Sequence, residues 1–205
     1  MIIKKLGIRR QALGFSSLRQ RMLFTGAPRG FTMIETFVAI VVLATSLAGA
    51  LSLASQGFNS ADVAGDQITA SFLAQDAIEY IRFARDTTCL SSSSGCDSSW
   101  LSEHLAPCVN NGASPTYCYL DSSLGLTLSN PQTCVGSCPP LLFDSTTGLY
   151  KYTSGVTSKF TRYVSVSDVS GDGNEALIKV QVSWVTRGGY PRTPITLEEY
   201  IYNWQ

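Results

Sequence analysis

The longest apolar stretch of the chain places the strongest limit on its fold. Residues 31–54 contain no proline and a single charged side chain, that of Glu35. As an α-helix these 24 residues would extend for about 36 Å, which exceeds the roughly 30 Å hydrocarbon core of a bilayer. The stretch therefore predicts a helix that crosses a membrane.

The charges on either side of this stretch predict its orientation. Residues 1–30 hold seven basic and no acidic side chains, whereas the remaining 175 residues hold 8 basic and 15 acidic ones. Because basic residues beside a membrane helix stay in the cytoplasm, we expect the chain beyond the helix to be exported. A conventional secretory signal fits less well, since its apolar region spans only about 7–15 residues. The acidic exported part is also a poor ligand for nucleic-acid phosphates, and no nucleic-acid partner is predicted.

Glu35 lies near the start of the predicted membrane helix. An ionised carboxylate at the centre of a bilayer costs about 2.5 kcal/mol or more even on the most lenient scale, so the residue predicts a partner. The alternative is a simple anchor whose acid lies near the interface and is tolerated by snorkelling or protonation. The joint occurrence of the basic flank, Gly30, Phe31 and Glu35 favours a partner.

The leader–helix junction resembles the class III leader of bacterial type IV prepilins and of the pseudopilins of type II secretion. Gly30, Phe31 and Glu35 carry the resemblance, together with the run 36–44. The resemblance implies that a prepilin peptidase cuts between Gly30 and Phe31 and methylates the new amine. In a filament, the ammonium group of Phe31 and the Glu35 carboxylate of a neighbour would offset each other's desolvation cost. An internal start at Met22 would shorten the leader to nine residues.

The resemblance also implies a function and a location. It predicts a structural subunit, a minor pilin or pseudopilin of a type IV pilus or type II secretion filament, and no enzyme. The implied partners are the prepilin peptidase, other pilin or pseudopilin subunits, and the assembly platform in the bacterial inner membrane. Before assembly the chain would cross that membrane once, with its leader in the cytoplasm and its head outside, and it would then enter a pilus or periplasmic pseudopilus.

Two choices within this interpretation stay open, and a second interpretation stands beside it. The residues do not separate pilus from secretion system, whereas the cysteine-rich region and a helix without proline favour a minor over a major subunit. The second interpretation is a membrane-tethered exported binding or enzymatic domain that does not assemble into a filament. A tether requires neither cleavage at Gly30 nor a charge at Glu35.

Helical periodicity continues beyond the apolar stretch. Apolar residues recur on one face at Leu73, Ala77, Tyr80, Ile81 and Ala84, and polar residues lie on the other faces at Gln75, Asp76, Glu79, Arg82 and Arg85. This pattern is typical of an amphipathic helix. The sequence therefore predicts one helix from about Phe31 to Arg85. Its membrane or filament-core part is at 31–56, and its amphipathic part, at 57–86, packs on a globular head.

Residues 87–147 are rich in cysteine and turn-forming residues, and they predict a cross-linked loop region. Its cysteines are Cys89, Cys96, Cys108, Cys118, Cys134 and Cys138. An even number of cysteines in an exported segment favours disulfides. Of the 15 possible pairings, we expect the local one, 89–96, 108–118 and 134–138, because closing short loops costs the least chain entropy. The apolar residues expected to hold the loops to the core are Trp100, Leu101, Leu105, Leu124, Leu126 and Leu128.

Residues 148–205 change to the period-two alternation of β-strands. The predicted strands are Phe160–Asp168, Leu177–Thr186 and Ile195–Tyr202. Along the second of these, alternate residues from Ile178 to Trp184 are apolar, which predicts one buried face. The predicted fold class is therefore α+β: a long N-terminal helix packed on an antiparallel sheet, as in the type IV pilins.

Few residues predict chemistry of another kind. Asp168, Asp172 and Asn174 surround two glycines in a pattern that a small calcium loop could use, but the position of the terminal glutamate ligand is occupied by Lys179. A strand-connecting turn is the favoured interpretation. His104 is the sole histidine and belongs to no catalytic motif, and Glu198 and Glu199 fall on opposite strand faces. No catalytic residue, cofactor or other metal site is predicted.

Overall fold

The computed structural model describes residues 30–91, 99–110, 115–127, 130–186 and 188–203. Within these ranges the chain forms two α-helices, two short 3₁₀ turns and seven β-strands. The helices are α1 (Met33–Ser91) and α2 (Ser99–His104). The strands are β1 (Cys118–Tyr119), β2 (Gln132–Thr133), β3 (Pro140–Asp144), β4 (Leu149–Lys151), β5 (Val156–Asp168), β6 (Glu175–Trp184) and β7 (Ile195–Tyr202).

The chain divides into two compact units, Met1–Leu51 and Ser52–Gln205. In the described part of the first unit, every residue from Gly30 onward is exposed, including Phe37 at 67% and Leu47 at 63%. The apolar segment of α1 has a mean hydropathy of 2.3 over 18 residues, and none of that window is buried within the protein. Among the described residues α1 is the one helix long and apolar enough to span a membrane, which makes the chain compatible with a single-pass membrane protein.

The second unit contains an antiparallel sheet centred on β5. This strand pairs with β6 over nine residues, and β6 in turn pairs with β7 over eight. On the other side of β5 lie β1 and β3, which extend the sheet through β2 and β4 respectively. In β6 the alternate residues are buried without exception from Ala176 to Trp184. The face predicted from the alternation of apolar residues is confirmed.

The strand bounds differ from the predicted ones in two places. The strand predicted at 195–202 is confirmed exactly, whereas β5 begins four residues earlier than predicted because its first half pairs with β3. Strand β6 covers 175–184 in place of the predicted 177–186. Thr186 belongs instead to the following turn, where its backbone N–H donates to the carbonyl of Tyr190 at 3.0 Å.

One face of α1 packs against the sheet within the second unit. The buried face consists of Ala70, Leu73, Ala74, Ala77, Ile78, Tyr80, Ile81 and Ala84. Half of these residues are alanines. All residues of this buried face except Ala84 form one core cluster with the buried faces of β5 and β6. The predicted α+β class, a long N-terminal helix packed on an antiparallel sheet, is confirmed.

The observed bounds of α1 differ from the predicted ones at both ends. Helix α1 begins at Met33, two residues after the predicted start, and ends at Ser91, beyond the predicted end near Arg85. At the later end Thr88 is buried, and its hydroxyl donates to the carbonyl of Ala84 at 2.8 Å. The apolar periodicity of the sequence ends at Ala84 and does not indicate this last turn.

Residues 87–147 hold more regular structure than the loops predicted for them. They contain α2 and strands β1, β2 and β3, so the sheet begins well before the predicted boundary at residue 148. The expected core contacts of Trp100, Leu101 and Leu105 are confirmed, since each is buried, and Leu126 packs against the core while partly exposed. Leu124 is exposed, so that expectation is wrong, and Leu128 lies outside the described residues.

The buried face of β6 provides a test of this packing. Ile178 is completely buried, so we expect Ile178→Ala to lower the free energy of unfolding by about 2–5 kcal/mol through lost burial and a residual cavity. Gln181→Ala, on the opposite face of the same strand, should change it by about 0.5 kcal/mol at most. Urea unfolding of the full chain in detergent micelles, followed by tryptophan fluorescence, measures both. Equal losses would contradict the assignment of the two faces.

Candidate functional site

Thr32 fixes the point at which α1 begins. Its side-chain oxygen accepts a hydrogen bond from the backbone N–H of Glu35 at 3.3 Å, and its carbonyl accepts one from the N–H of Thr36 at 3.2 Å. This is the geometry of an N-cap threonine. Gly30 and Phe31 therefore precede the helix. The Thr-x-x-Glu spacing of Thr32 and Glu35 is a recognised helix-start signal and could have placed the boundary correctly from the sequence.

The carboxylate of Glu35 lies in the first turn of α1 and is exposed. Its backbone N–H donates to the Thr32 side chain, but within the ranges that the structure describes no hydrogen bond or ion pair uses the carboxylate itself. A negative charge in a first helical turn interacts favourably with the helix dipole, by about 0.3–1 kcal/mol. The carboxylate is otherwise available for a contact outside the described part of the chain.

The predicted cleavage point is open on the side that the structure describes. Gly30 and Phe31 are exposed, Phe31 at 79%, and neither belongs to a helix or strand. A Cβ atom built on Gly30 would have no heavy atom of another described residue within 4 Å. A larger residue at position 30 would therefore disturb no packing in this part of the protein.

A buried arginine on β5 joins α1 to the sheet. Arg162 is 1% exposed, and one of its terminal nitrogens donates to the carbonyl of Leu73 at 2.9 Å and to the carboxylate of Asp76 at 2.8 Å. The other terminal nitrogen donates to the carbonyl of Leu120 at 2.7 Å. The hydroxyl of Ser122 donates to the same Asp76 oxygen at 2.8 Å. This cluster connects helix, sheet and the loop that follows β1 at one point.

Further ion pairs connect the sides of α1 with the sheet. Asp66 accepts from Lys159 of β5 at 2.5 Å, and Arg82 forms a salt bridge with Glu199 of β7. The sequence pattern placed Asp76, Arg82 and similar residues on faces away from the core. The structure places Asp76 and Arg82 at the margins of the buried face, where they reach the sheet. Hydrophobic periodicity alone does not predict such pairings, because it carries no information on which charge lies opposite.

A second polar network ties the loop after β1 to the helix. The hydroxyl of Tyr80 donates to the carbonyl of Gly125 at 3.2 Å, and burial raises the pKa of Tyr80. The side chain of Asn130 bridges the N–H and carbonyl of Asp121 at 2.7 and 2.6 Å. A carboxylate oxygen of Asp121 accepts from the N–H of Tyr152 at 2.7 Å. The loop is thus held by hydrogen bonds as well as by apolar contacts.

Two of the predicted disulfides are present. Cys108 is bonded to Cys118, and Cys134 is bonded to Cys138. Cys89 is also disulfide-bonded, and its predicted partner, Cys96, lies outside the described residues. No cysteine in the described ranges is free. The two local pairings that can be checked are confirmed.

The weak calcium candidate is a turn whose acids accept hydrogen bonds from the turn itself. Asp168 accepts hydrogen bonds from two backbone N–H groups of the turn at 2.8 and 3.0 Å. Asp172 accepts from the backbone and side chain of Asn174 at 3.0 and 2.7 Å. The hydroxyl of Ser170, and then the Asn174 amide, lower the pKa of Asp172. This arrangement supports the strand-connecting turn, and the described residues contain no group of three metal-ligating side chains that could hold an ion.

The remaining titratable residues noted in the sequence lie apart from one another. His104 ends α2, and its side chain is 14% exposed, so it is a packed residue. Glu198 pairs with Lys179 at 2.7 Å on the outer face of the sheet, whereas Glu199 pairs with Arg82 of the helix. The prediction that these two glutamates face opposite sides is confirmed.

Comparison of the chain with known proteins gives no relative from which to transfer a function, since no family model, curated protein or solved structure matches it.

The buried arginine provides a test of how the helix is held. We expect Asp76→Ala to lower the free energy of unfolding by about 3–5 kcal/mol, because it leaves the buried Arg162 charge without its counter-ion. The double variant Asp76→Ala with Arg162→Met should be more stable than Asp76→Ala alone, since the unpaired charge is gone. Asp86→Ala, at an exposed acid of the same helix, is the control. Urea unfolding measures the free energy of unfolding of each variant. If the losses from the two substitutions add in the double variant, the ion-pair account is contradicted.

Proposed function

We propose that this chain is a structural subunit of a filament, a minor pilin or pseudopilin that is cleaved after Gly30 and inserted through its N-terminal helix. The observation that carries the proposal is Glu35, an exposed carboxylate at the start of a membrane-length helix, without a side-chain partner in the described residues. The amine created at Phe31 of a neighbouring subunit would supply that partner. The proposed neighbours are other pilin or pseudopilin subunits.

The architecture of the second unit supports the same proposal. One helix carries the whole apolar segment and continues into the face that packs on the sheet, so a subunit held through its N-terminal helix would hold its head through the same element. The proposed location is the bacterial inner membrane with the head outside, followed by a pilus or a periplasmic pseudopilus. The peptidase and the assembly platform are the further proposed partners.

One observation favours the alternative of a simple membrane tether. Glu35 occupies the third position of a helix capped by Thr32, and an acid at that position stabilises the helix start by itself. On this account the acid has a local role, and the exported unit would be a binding or enzymatic domain that remains a monomer in the membrane. The filament proposal requires the charge of Glu35, whereas the tether requires only the helix cap.

Processing of the leader tests the first step of the proposal. In cells with an active prepilin peptidase, we expect the mature protein to begin at Phe31 with a methylated amine. Gly30→Arg should block the cut, and because no described residue packs against position 30, it should leave the fold intact. Gly26→Arg, the same change inside the leader, is the control and should be processed normally. Mass analysis of the N-terminus measures each, and a start before residue 31 in the wild type would contradict the proposal.

Glu35 tests the assembly step. We expect Glu35→Gln to enter the membrane but to be lost from sheared filaments by at least about tenfold, which corresponds to about 1.4 kcal/mol of lost pairing. Thr32→Ala is the matched control: it removes the cap and keeps the charge, so its incorporation should stay close to wild type. Quantification in membranes and in sheared filaments gives both ratios. Equal incorporation of Glu35→Gln and wild type would favour the tether.

A further inference from the structure

Strand β7 forms an edge of the sheet. Within the ranges that the structure describes it pairs with β6 alone, over eight residues without a shift in register, and no proline interrupts it. The free side of an edge strand carries N–H and C=O groups that can pair with a further strand, and most proteins shorten, twist or cover such an edge. The free side of β7 is therefore a candidate docking surface.

The hydrogen bonds at the end of β7 show which of its main-chain groups face this free side. The N–H of Asn203 donates to the carbonyl of Asn174 on the β6 side at 2.8 Å, and bonded and non-bonded positions alternate along an antiparallel pair. The carbonyl of Tyr202 points the other way, since it accepts from Arg85 of α1 at 3.1 Å. The other residues whose N–H and C=O groups face the free side are Thr196, Glu198 and Tyr200. No hydrogen bond in the described part of the chain uses the main-chain groups of these three residues.

An open cleft of about 400 Å³ lies between β7 and α1, within the second unit. Gln75 and Glu79 line it on the helix, and Leu197, Glu198 and Glu199 line it on the strand. The side chain of Glu198 points to the outer face of the sheet and that of Glu199 points to α1, so a cleft lined by both opens at the strand edge. A strand added to this edge would direct alternate side chains at the helix.

The cleft carries one negative charge in excess. Arg82 forms salt bridges with Glu79, at 2.6 Å, and with Glu199, so one guanidinium is shared by two carboxylates. The neighbouring ion pairs are one to one, and they are Lys179 with Glu198 and Arg85 with Asp86. The excess charge favours an occupant with a basic side chain. It opposes a second copy of β7, because that copy would bring the same excess of negative charge.

We propose that the edge of β7 binds an extended segment of another polypeptide as a further strand, with a basic side chain of that segment directed at Glu79 and Glu199. Main-chain hydrogen bonds to the three outward-facing residues of β7 would hold the segment, and its side chains that face α1 would select it. The contact requires neither leader cleavage nor a filament. Its failure would therefore leave the proposed filament function unchanged.

A synthetic peptide tests the contact on the full chain in detergent micelles. The probe is acetyl-Thr-Val-Lys-Val-Thr-amide, whose β-branched residues favour an extended chain and whose one charge is basic. Amide hydrogen exchange, followed by NMR, compares the chain with and without about 1 mM peptide. We expect the amides of Thr196, Glu198 and Tyr200 to be protected at least about tenfold by the peptide. The amides of Leu197 and Glu199, which face β6, are the matched controls and should not change.

Charge changes on both sides complete the experiment. A peptide with glutamate in place of lysine should bind at least about fivefold more weakly. Glu79→Gln should weaken binding of the lysine peptide at least about threefold, because it removes the excess charge of the cleft. Glu103→Gln, the same change at an exposed glutamate of α2, should leave binding unchanged. The amide spectrum of each variant without peptide reports whether its fold is intact.

Three results would overturn the proposal. The first is that the lysine peptide does not protect the three outward amides of β7. The second is that the lysine and glutamate peptides bind equally well. The third is that these amides become protected without peptide as the protein concentration rises, which would assign the edge to a second copy of the chain.

Discussion

The structure depends on one helix, α1, whose two segments suit different surroundings. From Met33 to about Ala54, α1 exposes apolar side chains in all directions, and none of the described residues covers them. From Ala70 onward only one face is apolar, and the sheet buries it. Water would penalise the first surface and lipid would penalise the charged sides of the second. The sequence of α1 therefore separates a segment that is compatible with a membrane span from a segment that packs on the sheet.

The cluster at Arg162 has a consequence for how the helix lies on the sheet. An alanine-rich helix face resists sliding only weakly, because one alanine resembles the next. Arg162 donates to the backbone carbonyl of Leu73 and to the Asp76 carboxylate, and a shift of the helix by one turn would move both acceptors by about 5.4 Å. Breaking such a pair costs about 3–5 kcal/mol, although its net contribution to stability is small. We infer that the arginine specifies the register of the helix, while the apolar contacts supply most of the stability.

The sequence predicted those elements whose own periodicity defines them. Strand β7 and the buried faces of α1 and β6 follow from spacing of two or of about 3.6 residues, and the local disulfides follow from short loops. Strands such as β1 and β2, of two residues each, are too short to show a period and exist through their partners on β5 and on each other. The pairing of Asp76 with Arg162 joins residues 86 positions apart, and no local pattern encodes it. The start of α1 differs, because the cap signal at Thr32 was present in the sequence.

Two free energies separate the role of Glu35 at the helix start from a role in contact with another group: the gain from the helix dipole and the cost of an ionised carboxylate in hydrocarbon. In the local structure its backbone N–H bonds to Thr32, and its carboxylate gains at most about 1 kcal/mol from the helix dipole. An ionised carboxylate within the hydrocarbon costs about 2.5 kcal/mol or more, so the cap does not offset the cost of carrying the charge into the bilayer. Glutamine would preserve the N–H contact and insert at lower cost. The charge is thus the property of Glu35 that the local structure leaves unexplained, and a cationic group outside the described chain is the partner that would offset it.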